Sequence, residues 1–154
     1  MDNTIIVVTG DHGEEFMENG RWGHNSTFSQ QQIRVPMILH IPELAAAKHG
    51  EMTSHLDMPA TVLSALGYEI EATSHSAGAD LMDPSYKRDF TVVSDWHGNS
   101  LVTPDVKIIF SLRGADYQAR TTDINDRAID LSTSGVSYQA ELAQYLLQQN
   151  KFFN

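Results

Sequence analysis

Residues 4–24 read TIIVVTGDHGEEFMENGRWGH, an apolar run followed at once by glycines, acids and histidines. The run Thr4 to Thr9 is β-branched and apolar at successive positions, which predicts a central strand covered on both faces of an α/β sheet. Gly10 to Asn25 then reads as a loop. In open α/β sheets ligands gather at the carboxyl ends of strands, and Asp11 and His12 stand at such an end. Turns begun at Gly10 and Gly13 bring a carboxylate and an imidazole toward one ion. That donor pair suits zinc, manganese or a similar divalent cation, from which an anionic substrate bridges.

The other members of the loop admit more than one role. Glu14 and Glu15 supply a further ligand or orient His12 from behind; for Glu15 and Glu18 a solvated acidic turn is the better reading. His24, between Gly23 and Asn25, is a candidate for a second metal or for contact with a substrate oxyanion, against the plain alternative of a loop histidine. His55, two residues before Asp57, has His-x-Asp spacing, but a helix-capping role for the acid competes with it. His40 reads as a core or sheet-edge residue, His49 and His75 as surface loop residues, and His97 as part of a turn.

The balance of 10 basic and 20 acidic residues in a chain of 154 gives a formal net charge of −10, which repels phosphate backbones and excludes nucleic acid as a partner class. With no cysteine, a metal must be held by histidine and carboxylate. No run approaches the roughly 18 apolar residues of a spanning helix, and the start is not a signal peptide, so the composition is that of a water-soluble chain.

Further along, residues 27–34 read as a short helix or turn at the surface and 35–41 as a second apolar strand bracketed by Pro36 and Pro42. Residues 54–67 predict a helix, with Ser54 or Asp57 at its start and Gly67 as its stop. Residues 90–95, 106–111 and 117–121 read as short strands of a meander. Residues 137–152, with Tyr138, Leu142, Tyr145 and Leu146 on one stripe, predict an amphipathic helix covering it. The chain thus divides into an α/β part, 1–85, and a small antiparallel sheet with a C-terminal helix, 86–154.

Several blocks in order carry a family resemblance. Residues 3–14, NTIIVVTGDHGE, resemble the strand and DHGE block of the sulfatase and alkaline-phosphatase superfamily. VPMILHIP at 35–42, HLDMPATVLSALG at 55–67, GADL at 78–81 and VKIIF at 106–110 are similar to its later blocks. The loop 11–24 is most similar to the lipid-modifying, membrane-anchored branch of Gram-negative inner-membrane proteins and related transferases.

The resemblance implies a C-terminal fragment of an alkaline-phosphatase-like α/β/α sandwich, with Met1 not the natural start. It further implies membrane attachment through N-terminal helices absent here, a periplasmic face of the inner membrane, and a role near lipopolysaccharide or phospholipid homeostasis. Asp11 and His12 match the family's metal pair, for Zn, Mn, Mg or Ca. His24 matches the downstream histidine that meets the substrate phosphate or a second metal.

The implied chemistry is hydrolysis or transfer at a phosphate or sulfate ester of the envelope, with an upstream Thr or Ser nucleophile outside this chain. Two ligands alone should bind a cation weakly and leave this segment inactive by itself. The rival expectation is a non-catalytic lipid-sensing or regulatory domain. A further one is self-association through an exposed sheet edge beside Thr4 to Thr9.

Overall fold

Strand β1, Ile6–Thr9, forms where the β-branched run Ile-Val-Val-Thr favours extended backbone. The computed structural model describes residues 2–68, 76–96, 98–111, 119–130, 137–141, 143–145 and 147. The chain folds as two compact units, residues 1–10 with 36–89, and 11–35 with 90–154. The loop that follows β1 therefore groups with the late part of the chain.

In the first unit β1 pairs antiparallel with β4, Met37–His40, in the register Ile6↔His40 to Thr9↔Met37. Pro36 and Pro42 flank β4 and limit its length, since neither can donate to a ladder. The expected burial of β1 on both faces does not occur: Val8 is 54% and Ile38 63% exposed. A two-stranded ribbon has no sheet neighbours to flank it, so its alternate apolar side chains stay in solvent.

Helix α2 spans Asp57–Ala65, with Leu56 as the N-cap residue and no side-chain cap. Asp57 faces backward instead, accepting the Ser54 N–H at 2.8 Å. The helix ends in a Schellman motif: Gly67, at φ +81°, donates to the Ser64 carbonyl at 2.9 Å and Tyr68 to that of Leu63 at 3.0 Å. Asp57 is fully buried and also accepts from the Ala79 N–H at 2.9 Å, the Tyr86 hydroxyl at 2.9 Å and the Arg88 guanidinium. This acid ties the helix start to residues 76–89, so its role is structural closure of the unit.

The second unit carries a four-stranded antiparallel meander in the order β5, Thr91–Ser94; β6, Gly98–Val102; β7, Val106–Ser111; β8, Arg120–Asp123. Strand β6 is not among the expected strands, because Gly98-Asn-Ser opens it with residues poor in strand propensity. It is nonetheless central, and Leu101 packs with Val106 and Ile108 in a core flanked by Phe90, Val92, Phe110, Ile129 and Tyr138. The last strand lies at 120–123, later than the expected 117–121, and Tyr117 falls outside the described residues.

Residues 139–141 and 143–145 are helical. Tyr138, just before them, packs on the sheet core as the stripe implied. Leu142 and Leu146 as side chains, and residues 148–154, lie outside the described residues. So do His75 and His97. No helix among the described residues is long and apolar enough to cross a membrane.

Candidate functional site

The loop after β1 is organised by a two-stranded hairpin and a short helix, all within the second unit. Strands β2, Glu15–Phe16, and β3, Trp22–Gly23, pair antiparallel as Glu15↔Gly23 and Phe16↔Trp22. Helix α1, Gln30–Ile33, follows. Gly13 lies against it, donating to the Gln32 carbonyl at 2.8 Å, and a Cβ at Gly13 would fall 1.9 Å from the Gln31 carbonyl oxygen. Close backbone approach is thus the reason for the glycine of the Asp-His-Gly triplet.

Glu15 is the anchor of the loop, and here the solvated reading fails. It is fully buried, with one carboxylate oxygen accepting from the Ser29 hydroxyl at 2.7 Å and the Gln32 amide at 3.0 Å, the other from the Asn19 N–H at 3.0 Å. Burial pushes its carboxyl up, but these bonds, with a further backbone bond from Arg21, outweigh burial and hold it below the ordinary range. Gln32, 4% exposed, in turn accepts from the N–H groups of Ser26 and Thr27, each at 3.2 Å. The segment 27–34 is therefore not a surface helix: Phe28, Ser29 and Gln32 are buried.

A second anchor comes from the sheet. Lys107 of β7, fully buried, donates to the Phe28 carbonyl at 3.0 Å and to Asp126, whose other oxygen accepts the Gln30 N–H at 3.0 Å. An alternating lysine inside the apolar strand Val106-Lys-Ile-Ile-Phe110 was its only sequence signal.

On this frame the candidate residues gather. The imidazoles of His12 and His24 stack with centroids 4.1 Å apart and planes at 27°. Nδ1 of His12 lies 3.0 Å from the Gly13 carbonyl oxygen, which accepts only, so Nδ1 carries the proton and the Nε2 lone pair is free. That Nε2 is 3.7 Å from Oδ2 of Asp11. Asp11 is solvent-exposed, and its carboxyl is held below the usual range first by its own backbone N–H, then by that of His12 and by the His12 charge.

Nδ1 of His24 donates to Glu14 at 3.0 Å, leaving its Nε2 for another group. Glu14 thus orients His24, where the sequence had suggested His12. Glu18, exposed, accepts the Phe16 N–H within the turn. In the first unit His55 lies 3.2 Å from the Thr9 hydroxyl. His40 is half-buried in β4, and His49 is exposed.

Among the described residues no group of three or more histidine, aspartate or glutamate side chains could hold a metal ion. Asp11 and His12 fit a divalent cation in donor type, with an ionised carboxylate and a free imidazole lone pair, and they fit it in part only, as two donors.

An apolar strand opening into an Asp-His-Gly loop, in an α/β chain with small antiparallel sheets, defines a sulfatase-type protein. The Sulfatase family model matches residues 1–68, and the chain belongs to the sulfatase superfamily. It is similar to the inner membrane protein YejM of Salmonella typhimurium, 23% identical over 98% of this chain and 24% of that protein. It is also similar to the low-salt glycan biosynthesis sulfotransferase Agl7 of Haloferax volcanii, 35% identical over 61% of this chain and 24% of that protein. A solved structure of a sulfatase candidate from Bacteroides thetaiotaomicron superposes with a TM-score of 0.67 at 20% identity, covering 98% of this chain and 36% of that one, a likeness of fold. The chain spans about a quarter, 24%, of the length of these curated relatives.

Proposed function

We propose that residues 11–24 form one side of an ester-processing site, in a sulfatase-type protein that hydrolyses or transfers phosphate or sulfate esters at the periplasmic face of the inner membrane. The observation that carries this reading is the stacked His12–His24 pair flanked by Asp11 and Glu14 on one anchored loop. Asp11 and His12 would hold a divalent cation, with the remaining ligands from outside this segment. Such a cation supplies charge neutralisation at the ester oxygens. His24, oriented by Glu14, presents Nε2 as a donor to an ester oxyanion or leaving group.

The similarity to an inner membrane protein supports the cell envelope as the location, with lipopolysaccharide or phospholipid esters as the substrate field. The similarity to a sulfotransferase supports ester chemistry over a purely regulatory domain.

The test is the full-length protein assayed on aryl phosphate and aryl sulfate with Mn, Mg, Zn or Ca, beside Asp11→Ala and His12→Ala. The reading requires metal-dependent turnover that either variant lowers by about 100-fold or more. Equal turnover in wild type and both variants would remove these residues from the chemistry.

A further inference from the structure

The hairpin register distributes the loop's side chains between two faces. Glu15 pairs with Gly23 and Phe16 with Trp22, and one residue outward from Glu15 the hydrogen bond between Glu14 and His24 continues the same ladder. Because side chains alternate along a strand, Glu14, His24, Phe16 and Trp22 share one face, while Glu15 lies on the other. The exposures agree: Glu15 is fully buried, Phe16 is 59% exposed and Trp22 71%. The shared face therefore carries a carboxylate–imidazole pair at one end and two aromatic rings about 7 Å further along.

The aromatic end is preformed. Phe16 and Trp22 meet edge-to-face at 5.5 Å and 88°. The turn beyond them is closed by Met17 N–H to the Arg21 carbonyl at 2.7 Å and Gly20 N–H to the Met17 carbonyl at 3.1 Å. Met17 adopts φ 74°, a left-handed conformation that costs a non-glycine residue about 1 kcal/mol, and leaves its own side chain 56% exposed. A rigid hairpin that spends backbone strain to hold three apolar side chains in water points to a ligand for them.

We propose that Phe16 and Trp22, with Met17, form a platform for the apolar part of a membrane phospholipid-type ester whose head group lies at Glu14 and His24. This rests on the ester reading of His24 given above. An amphipathic occupant matches the face because its polar and apolar ends adjoin in the same order. A second copy of the chain matches it poorly, since three side chains fall far short of the roughly 800 Å² per partner of a stable interface. The net charge of −10 selects a zwitterionic surface over an anionic one.

The chain has two tryptophans, Trp22 and Trp96. In a Trp96→Phe background Trp22 is the sole reporter, and the probe is vesicles of phosphatidylcholine with phosphatidylethanolamine. Trp22 emission should shift to the blue on vesicle addition, and Phe16→Ser with Trp22→Ser in the unaltered chain should weaken co-sedimentation about tenfold or more. Trp22→Phe, which keeps an aromatic ring, should retain most of the binding and guards against a folding artefact. No emission shift, or co-sedimentation unchanged by the double substitution, overturns the platform. So does a dimer in sedimentation velocity that the double substitution dissociates. Vesicle binding that persists while full-length His24→Ala keeps full turnover leaves the platform standing and sinks the ester reading instead.

Discussion

Glu15 shows how a single residue's surroundings decide its role. A carboxylate with no solvent exposure is stabilised only by its bonds to Ser29, Gln32 and Asn19, and it ends with its titration held below the ordinary range. A depressed folded-state pKa adds stability that is present above the ordinary glutamate range and lost as pH falls through it and below. Thermal unfolding between neutral pH and pH 3 should therefore show an acid-sensitive component that Glu15→Gln reduces, at a cost in stability at neutral pH; an identical pH dependence in the variant would contradict this. At Gly13 the Gln31 carbonyl leaves no room for a methyl group. Gly13→Ala should cost about 3 kcal/mol or more in chemical denaturation and displace the loop. Neither feature was legible locally: the Ser29 and Gln32 partners of Glu15 lie 14 and 17 residues away, and an acid between acids reads as solvated.

At the scale of elements, the strands and helix with strong patterns were readable and those held by tertiary contacts were not. The run Ile6 to Thr9, the proline-bracketed β4 and the glycine-stopped α2 carry local signals strong enough to place them within a few residues. β6 lacks one, because Gly98, Asn99 and Ser100 are extended by pairing on both sides and by the burial of Leu101 and Val102. The proximity of His12 and His24 belongs to the same class, since it follows from the Glu15↔Gly23 register and not from their spacing.

The brace from β7 to the loop is also tertiary. Removing the Lys107 ammonium leaves the Phe28 carbonyl and Asp126 without their cation. Lys107→Met should cost on the order of 3 kcal/mol, read as a lower unfolding midpoint. It should also broaden NMR signals of the His12 and His24 rings, which a purely remote effect would leave sharp.

At the scale of the molecule, the division into two units separates β1 from the loop that follows it, a grouping hidden from a reading in chain order such as 1–85 and 86–154. Among the described residues β1 pairs only with β4, leaving one edge and the apolar Val8–Ile38 face open. We propose that the chain self-associates there: sedimentation velocity should show concentration-dependent association that Val8→Lys suppresses, and a single species at all concentrations would refute it. Two donors at Asp11 and His12 predict weak divalent-cation binding by this chain, seen by calorimetry with Mn or Zn and abolished by His12→Ala.

The superfamily was legible because its ordered blocks lie in continuous stretches of sequence. The site's supports were not, because they are made between stretches. The central claim is that the anchored loop presents His24 to an ester. Its most direct test is kcat/KM of the full-length protein on an aryl phosphate or aryl sulfate, with and without His24→Ala. The account predicts a loss of about 100-fold or more with the fold intact by circular dichroism; turnover unchanged in the variant would contradict it.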